Sequence, residues 1–160
     1  MQTPINSQNV SQSIINKPTL RRGSQGNDVR EVQRLLTHWG YGNTGTFVDG
    51  VFNEIMESRV KAYQRRVFLK EDGIVGSVTW QALYTGAPVN MPELRWGSKG
   101  QTVMVLQEVL QITRDYIGKI DGDFGSRTEQ SVKTFQKRAN LVDDGIVGSR
   151  TWHALSKVSR

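Results

Sequence analysis

The side chains best placed to hold a ligand crowd around two glycine turns in the second half of the chain. Asp121 and Asp123 flank Gly122, with Phe124, Arg127 and Thr128 just behind; Asp143 and Asp144 precede Gly145, with Arg150 and Trp152 behind. Carboxylates this close together could suggest calcium. Their spacing is not that of a calcium loop closed by a glutamate, and an Asp side chain readily bonds its own backbone two residues on, so turn and cap roles are expected. Arg127 and Arg150 each open a helix. If their guanidinium groups converge with helix-start N–H groups, they would make a carboxylate site. Trp96 stands in a glycine loop where the first half has Arg22, so the fold does not demand it and it is a candidate contact. Trp80 and Trp152 could be sugar platforms, but a leucine three residues on puts each on an inner helix face, and core packing is the preferred reading. Trp152 is carried as a candidate contact all the same.

Catalytic sets are harder to assemble. His38 and His153 are the only histidines, neither has a second histidine four residues on, and the chain has no cysteine. Zinc-dependent amidase or peptidase chemistry therefore lacks its ligands, and thiolate sites and disulfides are excluded. No G-x-S-x-G nucleophile motif occurs. Paired carboxylates of the glycosidase kind are a matter of spatial approach, but the acidic residues sit at turns and helix surfaces, where no deep cleft is expected. No catalytic residue, metal or cofactor is expected.

The elements that position these residues are written twice. Residues 72–83, DGIVGSVTWQAL, return as 144–155, DGIVGSRTWHAL, with ten of twelve positions identical at an offset of 72 residues. Such a self-match defines a tandem repeat. In the first copy Val29, Val32, Leu35 and Leu36 fall on one helical face after Asn27 or Asp28, a candidate cap, and Gly40 ends the element. A loop over 41–45 follows. A second helix runs from Asn53 or Glu54 to Val67 with Ile55, Val60, Tyr63 and Val67 inward, and the repeated phrase closes the unit with a short third helix capped by Ser77. In the second copy Val103, Leu106, Val109 and Leu110 reproduce the first helix. Ser126 and Glu129 have capping-box spacing, Val132, Phe135 and Ala139 continue inward, and Ser149 caps the last helix.

The expected fold is all-α: two tandem three-helix bundles joined by a short proline-containing linker. Residues 1–17 read as a flexible Gln/Asn/Ser-rich tail, 18–86 as the first repeat, 87–91 as the linker and 92–160 as the second repeat. The tail has no apolar run of signal-peptide length, so the export route is left open. No run reaches membrane-spanning length. The net charge of +6 is spread, with nine Lys/Arg against seven Asp/Glu over 18–85 and eleven against eight over 92–160, which argues against a dedicated nucleic-acid face.

The combined pattern L-x-x-G-S-x-G-x-x-V-x-x-L-Q-x-x-L, D-G-x-F-G-x-x-T, V-x-x-F-Q and D-G-I-V-G-x-x-T-W-x-x-L resembles the bacterial peptidoglycan-binding domain of the three-helix type. It covers about 18–85 and 92–157. The second copy matches throughout. The first departs in its middle motif, with Asn53 and Met56 for Gly and Thr, and Val32 and Tyr63 for Leu and Phe. The resemblance implies non-catalytic attachment to peptidoglycan, through glycan strand or stem peptide, in the cell wall or periplasm, by a monomer. It also leaves open an accessory role beside a cell-wall hydrolase whose catalytic part is elsewhere, or a protein-interaction module on the same fold. The candidate contacts are Trp96, Asp121, Asp123, Phe124, Arg127, Thr128, Arg150 and Trp152.

Overall fold

In the computed structural model, residues 16–42 and 47–160 are described. Among them lie six helices: α1 (Asn27–His38), α2 (Glu54–Arg66), α3 (Ser77–Thr85), α4 (Gln101–Ile112), α5 (Ser126–Arg138) and α6 (Ser149–Ser156). The chain divides into two compact units between Val89 and Asn90, three helices in each. Most of the expected tail, and part of the expected loop over 41–45, lie outside the described residues.

Each unit closes on one core. In the first, Val29, Val32 and Leu36 of α1 meet Met56, Val60 and Tyr63 of α2 and Trp80 and Leu83 of α3, all buried. In the second, Val103, Leu106, Val109 and Leu110 meet Val132, Phe135, Trp152 and Leu155 in the same way. The indoles do two jobs. Their rings fill the core, while Trp80 Nε1 donates to the Pro18 carbonyl at 2.9 Å and Trp152 Nε1 to Pro92 at 2.8 Å. Burying a side chain of this size stabilises by roughly 3 kcal/mol, and the N–H bond ties the strand-like entry of each unit to its last helix.

The glycine turns are held in pairs. Leu20 bridges Val75 and Leu94 bridges Val147, while Gln25 bridges Val51 and Lys99 bridges Asp123. These bridges clip the loop ahead of the first helix across both turns of each unit. With Val75 and Val147 pinned, the backbone enters α3 and α6 through Gly76 and Gly148, which offer no side-chain cap bond. Ser77 and Ser149 are thus first helical residues, not caps.

The same correction applies to α5, capped by Gly125, so that Ser126 and Glu129 form no capping box and Glu129 pairs with Lys133 instead. It applies also to α1, capped by Gly26 rather than Asn27 or Asp28. Asn53 is the exception: its side chain accepts from Met56 N at 2.9 Å. Because α2 starts there, Met56 takes the inward position and Ile55, expected inside, is 60% exposed. The last residue of the expected tail is also engaged. Lys17 binds Glu31 and Asp28, and its ammonium lies 5.2 Å from the Trp80 ring centroid.

Candidate functional site

Four buried glutamines shape the surface on which any site must be built. Each sits on a helix and grips an Asp-Gly turn further along the chain. Gln107 Nε2 donates to Asp121 Oδ1 at 3.0 Å, to the Asp123 carbonyl at 3.2 Å and to Thr128 Oγ1 at 3.2 Å, while its Oε1 accepts from the N–H groups of Asp121 and Gly122. Gln64 and Gln136 repeat the pattern on Asp72-Gly73 and Asp144-Gly145, including the hydroxyls of Thr79 and Thr151. Gln33 does the same for Asp49-Gly50 without a hydroxyl, since Met56 replaces the threonine. An amide side chain offers two donors and a carbonyl acceptor, which is what a reversing backbone with an inward N–H requires. The Q-then-D-G order is visible in the sequence, but nothing local links the two, because each glutamine lies eight to sixteen residues from its aspartate.

These braces decide the fate of three candidate contacts. Thr128 is 1% exposed because its hydroxyl serves Gln107. Phe124 and Trp152, at 2% and 1%, are core residues. Thr128 still edges the cleft beside this turn, with its hydroxyl committed to Gln107, while Phe124 and Trp152 pack in the core and are withdrawn as contacts.

Asp121 and Asp123 remain exposed, on the wall of an open cleft of about 400 Å³ lined also by Tyr116, Lys119, Ser126 and Arg127. A second cleft, of about 370 Å³, shares Tyr116 and Arg127 and extends past Ile117, Gln130 and Thr134. Arg127 is therefore common to both. Trp96, at 60% exposure, and Arg150, also exposed, line neither cleft, so the expected pairing of Arg127 with Arg150 is not what this cleft displays. Tyr116 and Lys119 were missed because they lie in the loop after α4, outside any repeated motif. Their only sequence signal is a cation two residues ahead of Asp121.

The loop is firmly set. Tyr116 Oη donates to the Lys119 carbonyl at 2.6 Å, Gln111 Nε2 to the Gly118 carbonyl at 3.0 Å, and Arg138 forks onto the Asp115 carboxylate. The backbone N–H of Asp123 and the amide of Gln107 hold the Asp121 carboxyl below the usual range. A general acid needs the opposite shift, so Asp121 is suited to balancing charge rather than donating a proton. Asp123 pairs with Lys99 at 2.9 Å, which raises the Lys99 ammonium's affinity for its proton. Among the described residues no three His, Asp or Glu side chains gather as a metal set.

The first unit lacks this charge pattern. At the positions 72 residues before Asp123 and Arg127 stand Val51 and Ile55, and Phe47 lies two residues before Asp49.

Residues 25–83 and 99–155 match the family model described as "Putative peptidoglycan binding domain". Over 149 residues the chain is 32% identical to the N-acetylmuramoyl-L-alanine amidase CwlM of Mycobacterium tuberculosis, covering 85% of this chain and 37% of that protein. Over 156 residues it is 30% identical to the N-acetylmuramoyl-L-alanine amidase CwlL of Bacillus licheniformis, covering 82% and 43%. The chain thus spans about two-fifths of the length of these relatives. The crystal structure of the SleB N-terminal domain is similar at 33% identity and a TM-score of 0.42, over 43% of this chain and 94% of that one.

Proposed function

The chain belongs to the peptidoglycan-binding domain family, in two copies, and from that premise we propose that it attaches to bacterial cell-wall peptidoglycan without cutting it. The observation that carries this reading is the cleft of the second unit, where Arg127 and Lys119 face solvent beside a rigid turn. Muramyl peptides present carboxylates and amides, which guanidinium and ammonium groups bind through charge-assisted hydrogen bonds. In the cleft, Asp121 Oδ1 braces the turn and Asp123 pairs with Lys99, which supports holding rather than hydrolysis. The long relatives named as amidases support a role beside a cell-wall hydrolase, in the cell wall or periplasm. Two modules on one chain raise retention on a polymer by effective concentration.

Pull-down on insoluble sacculi tests this directly. The chain is expected in the pellet, with no release of soluble muropeptides over hours of incubation. A chain left wholly in the supernatant, or one that clears the suspension, overturns the proposal. The exposed Val51, Ile55 and Val78 of the first unit favour a second reading for that unit alone, a protein-interaction face. Loss of sacculus retention on Ile55→Asp would argue against it.

A further inference from the structure

We propose that the cleft of the second unit recognises a free zwitterion, the ammonium-and-carboxylate end of a diamino dicarboxylic acid in the stem peptide, and not a sugar face or a neutral amide. The inference rests on the wall-binding reading and names what part of the wall this cleft takes.

The argument is one of charge placement. The cleft carries both signs. Lys119 and Arg127 line it, and neither side chain has an ion-pair partner within pairing distance among the described residues, whereas Lys99, Lys133 and Arg138 nearby are paired. Asp121 lines it too. Its Oδ1 is committed to Gln107 and to the Asp123 N–H, which leaves Oδ2 without a hydrogen-bond partner among the described residues. A neutral sugar hydroxyl would meet this wall as a poor substitute for water. A lone carboxylate would satisfy the two cations and be repelled by Asp121, since Asp123 is already neutralised by Lys99; a lone ammonium would suffer the reverse. Only a head group that offers both charges on one carbon satisfies both kinds of residue together.

Rigidity sharpens the selection. Asp121 is fixed at 3.0 Å from Gln107, and the Lys119 backbone at 2.6 Å from the Tyr116 hydroxyl, so little ordering is left to binding. The first unit cannot share the preference, because Val51 and Ile55 replace Asp123 and Arg127.

Stem-peptide chemistry then narrows the ligand. Along the stem the main-chain amino groups are acylated, so the carboxylates that remain free there carry no ammonium on the same carbon. An α-ammonium-carboxylate survives only at the side-chain end of a residue such as diaminopimelate. Lysine there supplies the ammonium alone, amidation removes the carboxylate, and cross-linking removes the ammonium. The cleft would therefore favour wall that is neither amidated nor cross-linked at that residue.

The test is titration of the full chain, followed by calorimetry and amide chemical shifts, with four probes: a disaccharide-tripeptide ending in diaminopimelate, its amidated form, the lysine form, and free diaminopimelate. The first is expected to bind about tenfold or more tightly than the amidated and lysine forms, the scale of one charge-assisted bond, with shifts confined to 115–130. Free diaminopimelate shifting the same amides as strongly would assign the head group alone as the ligand, and a much weaker response would assign the wall-bound form; both support the zwitterion. Arg127→Gln and Lys119→Gln should each abolish the preference and keep the helical spectrum, while Lys137→Ala, at the far end of α5, should leave it. Equal affinity for the three muropeptides, or shifts in the first unit, overturns the inference while sacculus retention leaves wall binding standing. Loss of both overturns the two together.

Discussion

At the scale of single residues, the glutamines explain more of this protein than its charges do. Gln107 serves five polar groups of one turn from a fully buried position. Gln107→Ala would leave buried amides unsatisfied, at about 1–3 kcal/mol each, and should lower the stability of the second unit by about 3 kcal/mol in urea denaturation. Gln33→Ala should be milder, because no threonine hydroxyl depends on it.

Asp72 and Asp121, in two of these turns, carry a pH signature. Burial pushes the Asp72 carboxyl up, but the Ile74 N–H and the Gln64 amide outweigh it, and the net value lies below the ordinary range; Asp121 lies below it through Asp123 N–H and Gln107. A folded value below the unfolded one, about 3.9, means stability fully present above that pH and lost as pH falls through the folded values. Melting temperature should therefore hold near neutrality and drop below about pH 4. Asp121→Asn keeps an acceptor oxygen for both hydrogen bonds and should flatten that drop; an unchanged acid limb would refute the assignment.

At the scale of elements, sequence periodicity found every helix, but several first residues moved and α2 ends at Arg66 rather than Val67. Neither Ile55 nor Ala139, which follows the end of α5, is buried as expected. The inner faces of α1, α4 and α5 were legible because burial in a three-helix bundle enforces the 3.6-residue period. Helix starts were not, because cap preferences rank serine and asparagine as good caps while the bridges Leu20–Val75 and Leu94–Val147 fix where the backbone enters. The end of α3 is equally specific. Gly86 has φ +68°, and a Cβ there would fall 2.1 Å from the Trp39 ring, whose Nε1 donates to the Leu83 carbonyl at 2.7 Å. Gly86→Ala combines left-handed strain with a clash and should cost more than about 2 kcal/mol, read as a lower thermal midpoint for the first unit. Gly86→Asn should relieve part of the strain in φ, since asparagine tolerates the left-handed region, but not the clash.

At the scale of the whole molecule, the two units share a scaffold and differ in what they show to solvent. The second keeps a charged cleft, and the first shows Val51 and Ile55 at the matching positions. Each has its own core, so residues 90–160 produced alone should fold and be retained on sacculi, whereas residues 16–89 alone should be retained weakly or not at all. Retention by the first segment equal to that of the second would show that the charged cleft is not what binds. Because Arg127 and Lys119 act from an exposed surface, raising salt from about 0.05 to about 0.5 M should weaken retention of the second segment markedly.

The linear chain by itself determined the duplication, the all-α class, the apolar faces and the positions of the Asp-Gly turns, since these follow from identity at a fixed offset, from helical period and from the backbone freedom of glycine. The tertiary structure alone decided which of the turn residues meet solvent. Phe124 belongs to the same motif as Asp121 and Arg127, and Trp152 to the same motif as Arg150, yet the packed cores turn Phe124 and Trp152 inward while Asp121 and Arg127 line a cleft and Arg150 stays exposed. Spacing along the chain fixes which residues are neighbours in a motif; it does not fix which side of the turn each one faces.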